Sequence, residues 1–173
     1  MSSALPDVVD AWRMVHARRS FQGVLPLAAM PRLATSLAAA EGEVAFDLEF
    51  DKDATGVPYL RVKANTALPL TCQRTLEPFA LPVRIDTKLG LIANEADEAA
   101  LPPGYEPLLL SDNGLRLADV VEDELILALP VVPMKPGTEL GGYAYSSGND
   151  GDGAEEEQAR PNPFAQLGNL YKK

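Results

Sequence analysis

Reactive side chains are scarce in this chain of 173 residues, which holds one cysteine, Cys72, and one histidine, His16. A single cysteine excludes an intrachain disulfide and suits a reducing compartment. A structural zinc site asks for four Cys or His ligands, so neither metal nor cofactor is expected. Cys-His or Ser-His-Asp chemistry would have to recruit His16, which stands beside an apolar helical stripe, and no nucleophile-elbow motif is present. The glycines around Gly141 lack the strand, lysine and helix of a phosphate loop. Long apolar runs are absent too. The longest, Leu125 to Val132, is broken by Pro130 and falls far short of the ~20 residues of a membrane helix. Asp7 and Asp10 interrupt the N-terminus before any signal-peptide core. These absences predict a cytoplasmic protein that is not an enzyme, with no membrane partner and no small-molecule substrate.

What is present is an ordinary globular composition, 46% hydrophobic and 23% charged, enough for one domain with a tail. The net charge of −10 is uneven. Residues 1–90 balance ten Lys/Arg against ten Asp/Glu, whereas residues 91–173 hold five against fifteen. Such a field repels a phosphate backbone at long range and attracts a basic protein. One window runs the other way: no acid falls between Asp10 and Glu41, where Arg13, Arg18, Arg19 and Arg32 lie. The same bias marks mitochondrial presequences, although the two early Asp residues weaken that match.

Local patterning predicts an α+β fold: an antiparallel β-meander, open or barrel-like, with helices packed on it. A first helix is expected from Leu5-Pro6-Asp7 to about Arg19 on the stripe Val8, Trp12, Val15. Phe21 to Leu25 reads as extended, and a second helix is expected from Leu27 to Ala39. Val44, Phe46, Leu48 and Phe50 alternate in a half-buried strand with an acidic outer face. Tyr59 to Lys63 answers with a basic outer face, so antiparallel pairing should bring Asp47 and Glu49 near Arg61 and Lys63. Pro69 assigns Leu68 to Cys72 to an edge or bulge. Phe79, Leu81, Val83, Ile85 and Leu89 form a further strand. Asn94 to Pro103 reads as an acidic loop, Tyr105 to Leu110 as a short strand and Asp112-Asn113-Gly114 as a turn. Leu117, Val120, Val121, Leu125 and Ala128 follow helical spacing up to Pro130. The domain should cover residues 1–134. Residues 135–159, rich in Gly, Ser, Asp and Glu, read as a disordered acidic linker. Within 160–173, Asn162-Pro163 opens a short helix with the stripe Phe164, Leu167, Leu170, suited to docking on a partner or on the chain itself.

Three blocks occur together in a familiar order: Leu70-Thr71-Cys72-Gln73-Arg74, then Leu101-Pro102-Pro103-Gly104-Tyr105-Glu106-Pro107 leading to Val121-Glu122-Asp123-Glu124 and Leu129-Pro130-Val131-Val132-Pro133, and last Arg160-Pro161-Asn162-Pro163-Phe164-Ala165-Gln166-Leu167. In this arrangement the chain resembles the bacterial YceD family from about Ser20 onward. The resemblance implies a role in synthesis, processing or stability of large-subunit (23S) ribosomal RNA, and it implies no catalytic mechanism. Many members carry Cys-x-x-Cys where this chain has Cys72-Gln73-Arg74-Thr75, with further His or Cys after Val-Val-Pro. Here Met134-Lys135-Pro136-Gly137 follows, so any zinc held by relatives is not expected.

The residues matched to the family are therefore Cys72, Gln73, Arg74, Glu122, Asp123, Glu124, Pro161, Asn162, Pro163 and Phe164. Cys72 also reads as an edge-strand cap with a half-buried thiol, and Glu122, Asp123 and Glu124 as an acidic helix start or a contact for a basic partner. Direct RNA binding would use Arg13, Arg18, Arg19 and Arg32, with Arg61, Lys63, Arg74 and Arg84 on the sheet. Its contacts would be electrostatic, because Phe46 and Phe50 sit on the core side and cannot stack bases. The competing expectation is a basic ribosomal or ribosome-assembly protein as partner, or an acidic adaptor unrelated to RNA. A metal-dependent nuclease is disfavoured, since three consecutive helical carboxylates project ~100° apart and cannot converge on one ion.

Overall fold

The structure, a computed structural model, describes residues 5–110 and 114–137. In chain order these form β1 (Val9–Asp10), α1 (Ala11–His16), β2 (Ser20–Pro26), a 3-10 turn (Leu27–Ala29), α2 (Pro31–Ala34), β3 (Glu43–Lys52), β4 (Pro58–Thr71), β5 (Pro78–Ile92), a 3-10 helix (Glu95–Ala100), β6 (Glu106–Leu109), β7 (Gly114–Leu115) and α3 (Leu117–Leu127). The main sheet has the order β2-β3-β4-β5-β6, and β1 pairs separately with β7. Neighbours from β2 to β5 are antiparallel, as the meander predicts. β6 departs from it by running parallel to β5, brought round by the 95–105 connection. Among the described residues the sheet stays open, and β2 and β6 are its edges.

Alternation decides the two faces. Val44, Phe46, Leu48 and Phe50 of β3, and Leu60, Val62, Ala64, Leu68 and Leu70 of β4, are buried. They form one core with Val83, Ile85 and Leu89 of β5, Ala11 and Val15 of α1, Leu33 of α2, and Leu117, Val121 and Leu125 of α3. The intervening residues lie on the opposite, outer face, and the described helices leave most of it uncovered. The register opposes Asp47 to Lys63 and Glu49 to Arg61, the pairing that charge and period predict.

β4 continues through Pro69 rather than breaking into two runs. β3 pairs β4 only as far as Asn65, so among the described residues no strand flanks Pro69 on that side. The Pro69 carbonyl there accepts the Ala38 N–H at 2.8 Å, while Pro69 faces Ala80 of β5 across the ladder. A missing N–H at that edge breaks no ladder bond.

Both N-terminal helices are shorter than predicted. α1 begins at Ala11 because Asp10 caps it, its Oδ1 accepting the Arg13 N–H at 3.0 Å. Val8 is exposed and Val9 has joined β1. Arg18 turns left-handed at φ 47° and feeds β2. In the second stretch Pro31 keeps Met30 out of the helical region, at φ −113° and ψ 82°. The helix restarts at Pro31 and ends at Ala34, and Ala38 is then drawn to β4. The acidic loop after Asn94 is instead a 3-10 helix closed by a capping box between Asn94 and Asp97. The predicted turn at 112–114 lies largely outside the described residues. So do the terminal helix with Pro161, Asn162, Pro163, Phe164, Leu167 and Leu170, and all but the first three residues of the linker.

Candidate functional site

The outer face is a lattice of charge. β3 contributes Glu43, Asp47, Glu49 and Asp51, β4 contributes Tyr59, Arg61, Lys63 and Asn65, and β5 contributes Arg84, Asp86 and Lys88. Although Arg61 stands opposite Glu49, its guanidinium turns the other way and grips Asp86 with two bonds, Nε to Oδ1 at 2.7 Å and Nη2 to Oδ2 at 2.8 Å. A fork of that kind is worth more than a point contact. Its hydrogen bonds hold the Asp86 carboxyl below the usual carboxylate range, against the upward push of partial burial. β3 is thereby left with acids that no cation neutralises closely: among the described residues Glu43, Asp47 and Glu49 enter no salt bridge.

Near the β3–β4 turn the same face carries an aromatic cluster. Tyr59 and Tyr105 lie 6.0 Å apart between ring centroids, and the Lys88 ammonium sits 5.4 Å and 5.7 Å from the two rings. The Tyr105 hydroxyl donates to Asp53, which also accepts the Thr55 and Val57 N–H groups and the Thr55 hydroxyl. The Thr55 hydroxyl above all holds Asp53 below its ordinary range, while burial pushes Tyr59 and Tyr105 up. Sequence reasoning missed Tyr105 and Lys88. Tyr59 and Lys88 share the parity of the outer face and could have been placed there. Tyr105 could not, because only the parallel docking of β6 brings it over.

The acidic triplet of α3 divides three ways. Glu122 is buried, and its Oε1 accepts the backbone N–H groups of Arg32 at 2.7 Å and Leu33 at 3.0 Å. Its Oε2 receives the Arg32 guanidinium at 3.0–3.1 Å. Met30, which precedes α2, supplies no capping side chain. A carboxylate from α3 thus satisfies the first-turn donors of α2 in its place. Burial pushes Glu122 up, yet the Leu33 and Arg32 donors outweigh it and its pKa lies below the usual range. Asp123 is exposed and salt-bridged to Arg32, and Glu124 is buried, raised by burial with the Thr87 hydroxyl as its counterweight. Glu122 is thus a junction inside the fold, and only Asp123 of the three is exposed.

The matched Cys72-Gln73-Arg74 stretch follows β4 in a tight loop. The Cys72 N–H donates to Glu77 O, and Leu76 N–H donates to Cys72 O with Leu76 at φ 59°. The thiol is fully buried, not half-buried, and accepts the Lys135 N–H at 3.4 Å. That contact first, then bonds from Thr75 and Arg74, lowers its pKa to about 6. Gln73 N–H donates to Pro133 O at 2.9 Å, so the loop and the Val-Val-Pro segment are tied together. Among the described residues no group of three or more His, Cys, Asp or Glu is arranged to hold a metal ion.

The eight cations proposed for RNA do not form one patch. Arg61, Lys63 and Arg84 share the outer face; Arg13 and Arg19 line a groove beside α1 with Met14 and Phe21. Arg18 pairs with Asp51, Arg32 with Glu122 and Asp123, and Arg74 lies in the distant Cys72 loop.

These elements define an α+β protein built on an open five-stranded sheet, with helices on one face and charge and aromatic rings on the other. Residues 60–171 match the family described as large ribosomal RNA subunit accumulation protein YceD. The large ribosomal RNA subunit accumulation protein YceD of Haemophilus influenzae is 32% identical over 170 residues, spanning 98% of this chain and 97% of that relative. The chain belongs to the YceD family. No solved structure matches it. No described helix is long and apolar enough to cross a membrane.

Proposed function

We propose that this chain is a cytoplasmic, non-enzymatic factor for the synthesis, processing or stability of large-subunit ribosomal RNA, acting by holding a basic ribosomal or ribosome-assembly protein. Family membership supports the RNA-linked role, since the relative spanning nearly the whole chain is named for accumulation of the large ribosomal RNA subunit. The observation that carries the mode of action is the uncovered outer face, where Glu43, Asp47 and Glu49 of β3 enter no salt bridge among the described residues while Arg61 is turned toward Asp86. Negative potential of that kind favours encounter with a cationic protein and opposes a phosphate backbone.

A second reading, direct contact with RNA, is favoured by Lys88 beside Tyr59 and Tyr105, with Lys63 and Arg84 further along the same face, since stacking and phosphate contacts go together in single-strand recognition. A salt titration of binding to large-subunit RNA fragments, with recovery of proteins on the tagged full-length chain, separates the two. The adaptor predicts no RNA binding at physiological salt and recovery of a basic protein. Tight RNA binding with a steep salt slope overturns it in favour of the RNA reader. Metal-dependent cleavage of the same RNA by the purified chain would overturn both.

A further inference from the structure

The two edges of the sheet are not alike. β6 is four residues long and carries Glu106 and Pro107, devices that blunt an edge. β2 is seven residues long and has no charged side chain along Ser20–Pro26. Its backbone phase follows from its neighbours. Phe50 N–H donates to Arg19 O and Leu27 N–H to Gly42 O, bracketing a register in which Arg19, Phe21, Gly23, Leu25 and Leu27 face β3. In an antiparallel ladder the alternate residues point their backbone the other way. Ser20, Gln22 and Val24 therefore turn N–H and C=O outward, and Pro26, without an N–H, closes the edge. No hydrogen bond from the described residues reaches that edge.

The side chains of Ser20, Gln22 and Val24 also lie on the outer face, directly beside the acids. Ser20 is opposite Glu49, Gln22 opposite Asp47 and Pro26 opposite Glu43. A strand added to β2 would run about 10 Å from β3, two inter-strand spacings. Lysine or arginine at alternate positions of such a strand reaches across the uncharged Ser20, Gln22 and Val24 side chains to Glu49 and Asp47. A negatively charged added strand would meet the same acids as a barrier.

We propose that the β2 edge is a strand-addition site for an extended basic peptide, whose backbone pairs with Ser20, Gln22 and Val24 and whose alternate Lys/Arg side chains meet Asp47 and Glu49. This rests on the reading of the chain as a holder of a basic protein, and it names the surface and the form of the partner. Backbone pairing supplies affinity and the β3 acids supply selection, the division of labour of β-augmentation.

The test uses the full chain and a short labelled peptide of alternating lysine and valine, followed by fluorescence anisotropy. The same peptide is also made N-methylated at every second residue, in each of the two phases. Binding is expected to fall about tenfold or more for the phase whose N–H groups face β2 and to be retained for the other. Asp47→Lys with Glu49→Lys is expected to weaken the unmodified peptide by a similar factor while the far-ultraviolet spectrum is unchanged. Equal binding of both methylated phases overturns the edge, as does preference for a glutamate-valine peptide or for single-stranded RNA over the lysine peptide. Recovery of a basic protein on the tagged chain, unaltered by Gln22→Pro, would overturn the edge site and leave the broader adaptor reading standing.

Discussion

Removing the Glu122 carboxylate tests the junction between α2 and α3. Glu122→Ala strips the acceptor from two backbone donors at once, Arg32 N–H and Leu33 N–H. An orphaned buried donor costs about 1–3 kcal/mol. Leu33 is fully buried and takes that cost nearly whole. The Arg32 side chain is half exposed, so water relieves its share and the ion pair itself contributes little. The expected loss is about 2–4 kcal/mol, read as a fall of roughly 10 °C in Tm for a domain of this size. Glu122→Gln keeps one oxygen for both N–H groups but turns an amide toward the guanidinium, and should cost about half as much. Urea unfolding followed by circular dichroism supplies the comparison. The pH dependence has a definite sign. A carboxyl whose folded pKa is lowered stabilises the fold above its unfolded value and loses that contribution as pH falls through the folded value. The gap between wild type and Glu122→Ala should therefore be full at neutral pH and narrow on acidification below about pH 4, to what a neutral carboxyl oxygen still accepts. An alanine variant within about 0.5 kcal/mol of wild type would refute the capping argument, as would a gap that widens in acid.

Other perturbations follow from single contacts. A Cβ at Gly90 would meet Leu101 Cδ2 at 2.6 Å, so Gly90→Ala should cost about 1–3 kcal/mol; combined with Leu101→Ala it should cost less than the sum of the two, measured as a double-mutant cycle. Leu76 is 74% exposed at φ 59°, so Leu76→Gly should stabilise by about 0.5–1 kcal/mol in thermal unfolding, and a loss would contradict it. Titrating thiolate absorbance should place the Cys72 pKa at about 6. Because that value lies below the unfolded thiol's ~8.5, its contribution is full above the unfolded value and is lost as pH falls toward the folded one. Cys72→Ser should flatten that slope, and an unchanged slope would contradict it.

The strands were legible because their determinants are local. Val44, Phe46, Leu48 and Phe50 need only period two to declare a face, and the acids of β3 against the bases of β4 set the register that the structure adopts. Other features depend on contacts that no window contains. Met30 and Pro31 interrupt a stretch whose Ala and Leu content favours helix, and the chain beyond is drawn to Pro69 instead. Glu122, expected at an acidic helix start, stands with Asp123 and Glu124 in the middle of α3, and becomes structural only because α2 lacks a cap 90 residues earlier. Arg61 was placed on the correct face, yet its choice of Asp86 over Glu49 depends on β5 lying alongside. The open edge of β2 was also hidden, because which strand lies outermost is a property of the whole sheet.

If the uncovered sheet face, where Asp47 and Glu49 enter no salt bridge among the described residues, is what supports large-subunit ribosomal RNA, reversing those two charges should abolish the support. Cells lacking the chain can be supplied with wild type or with the folded Asp47→Lys, Glu49→Lys variant, and the ratio of large- to small-subunit ribosomal RNA measured. Wild type is expected to restore the ratio, and the variant is not. Full restoration by the charge-reversed variant would contradict it.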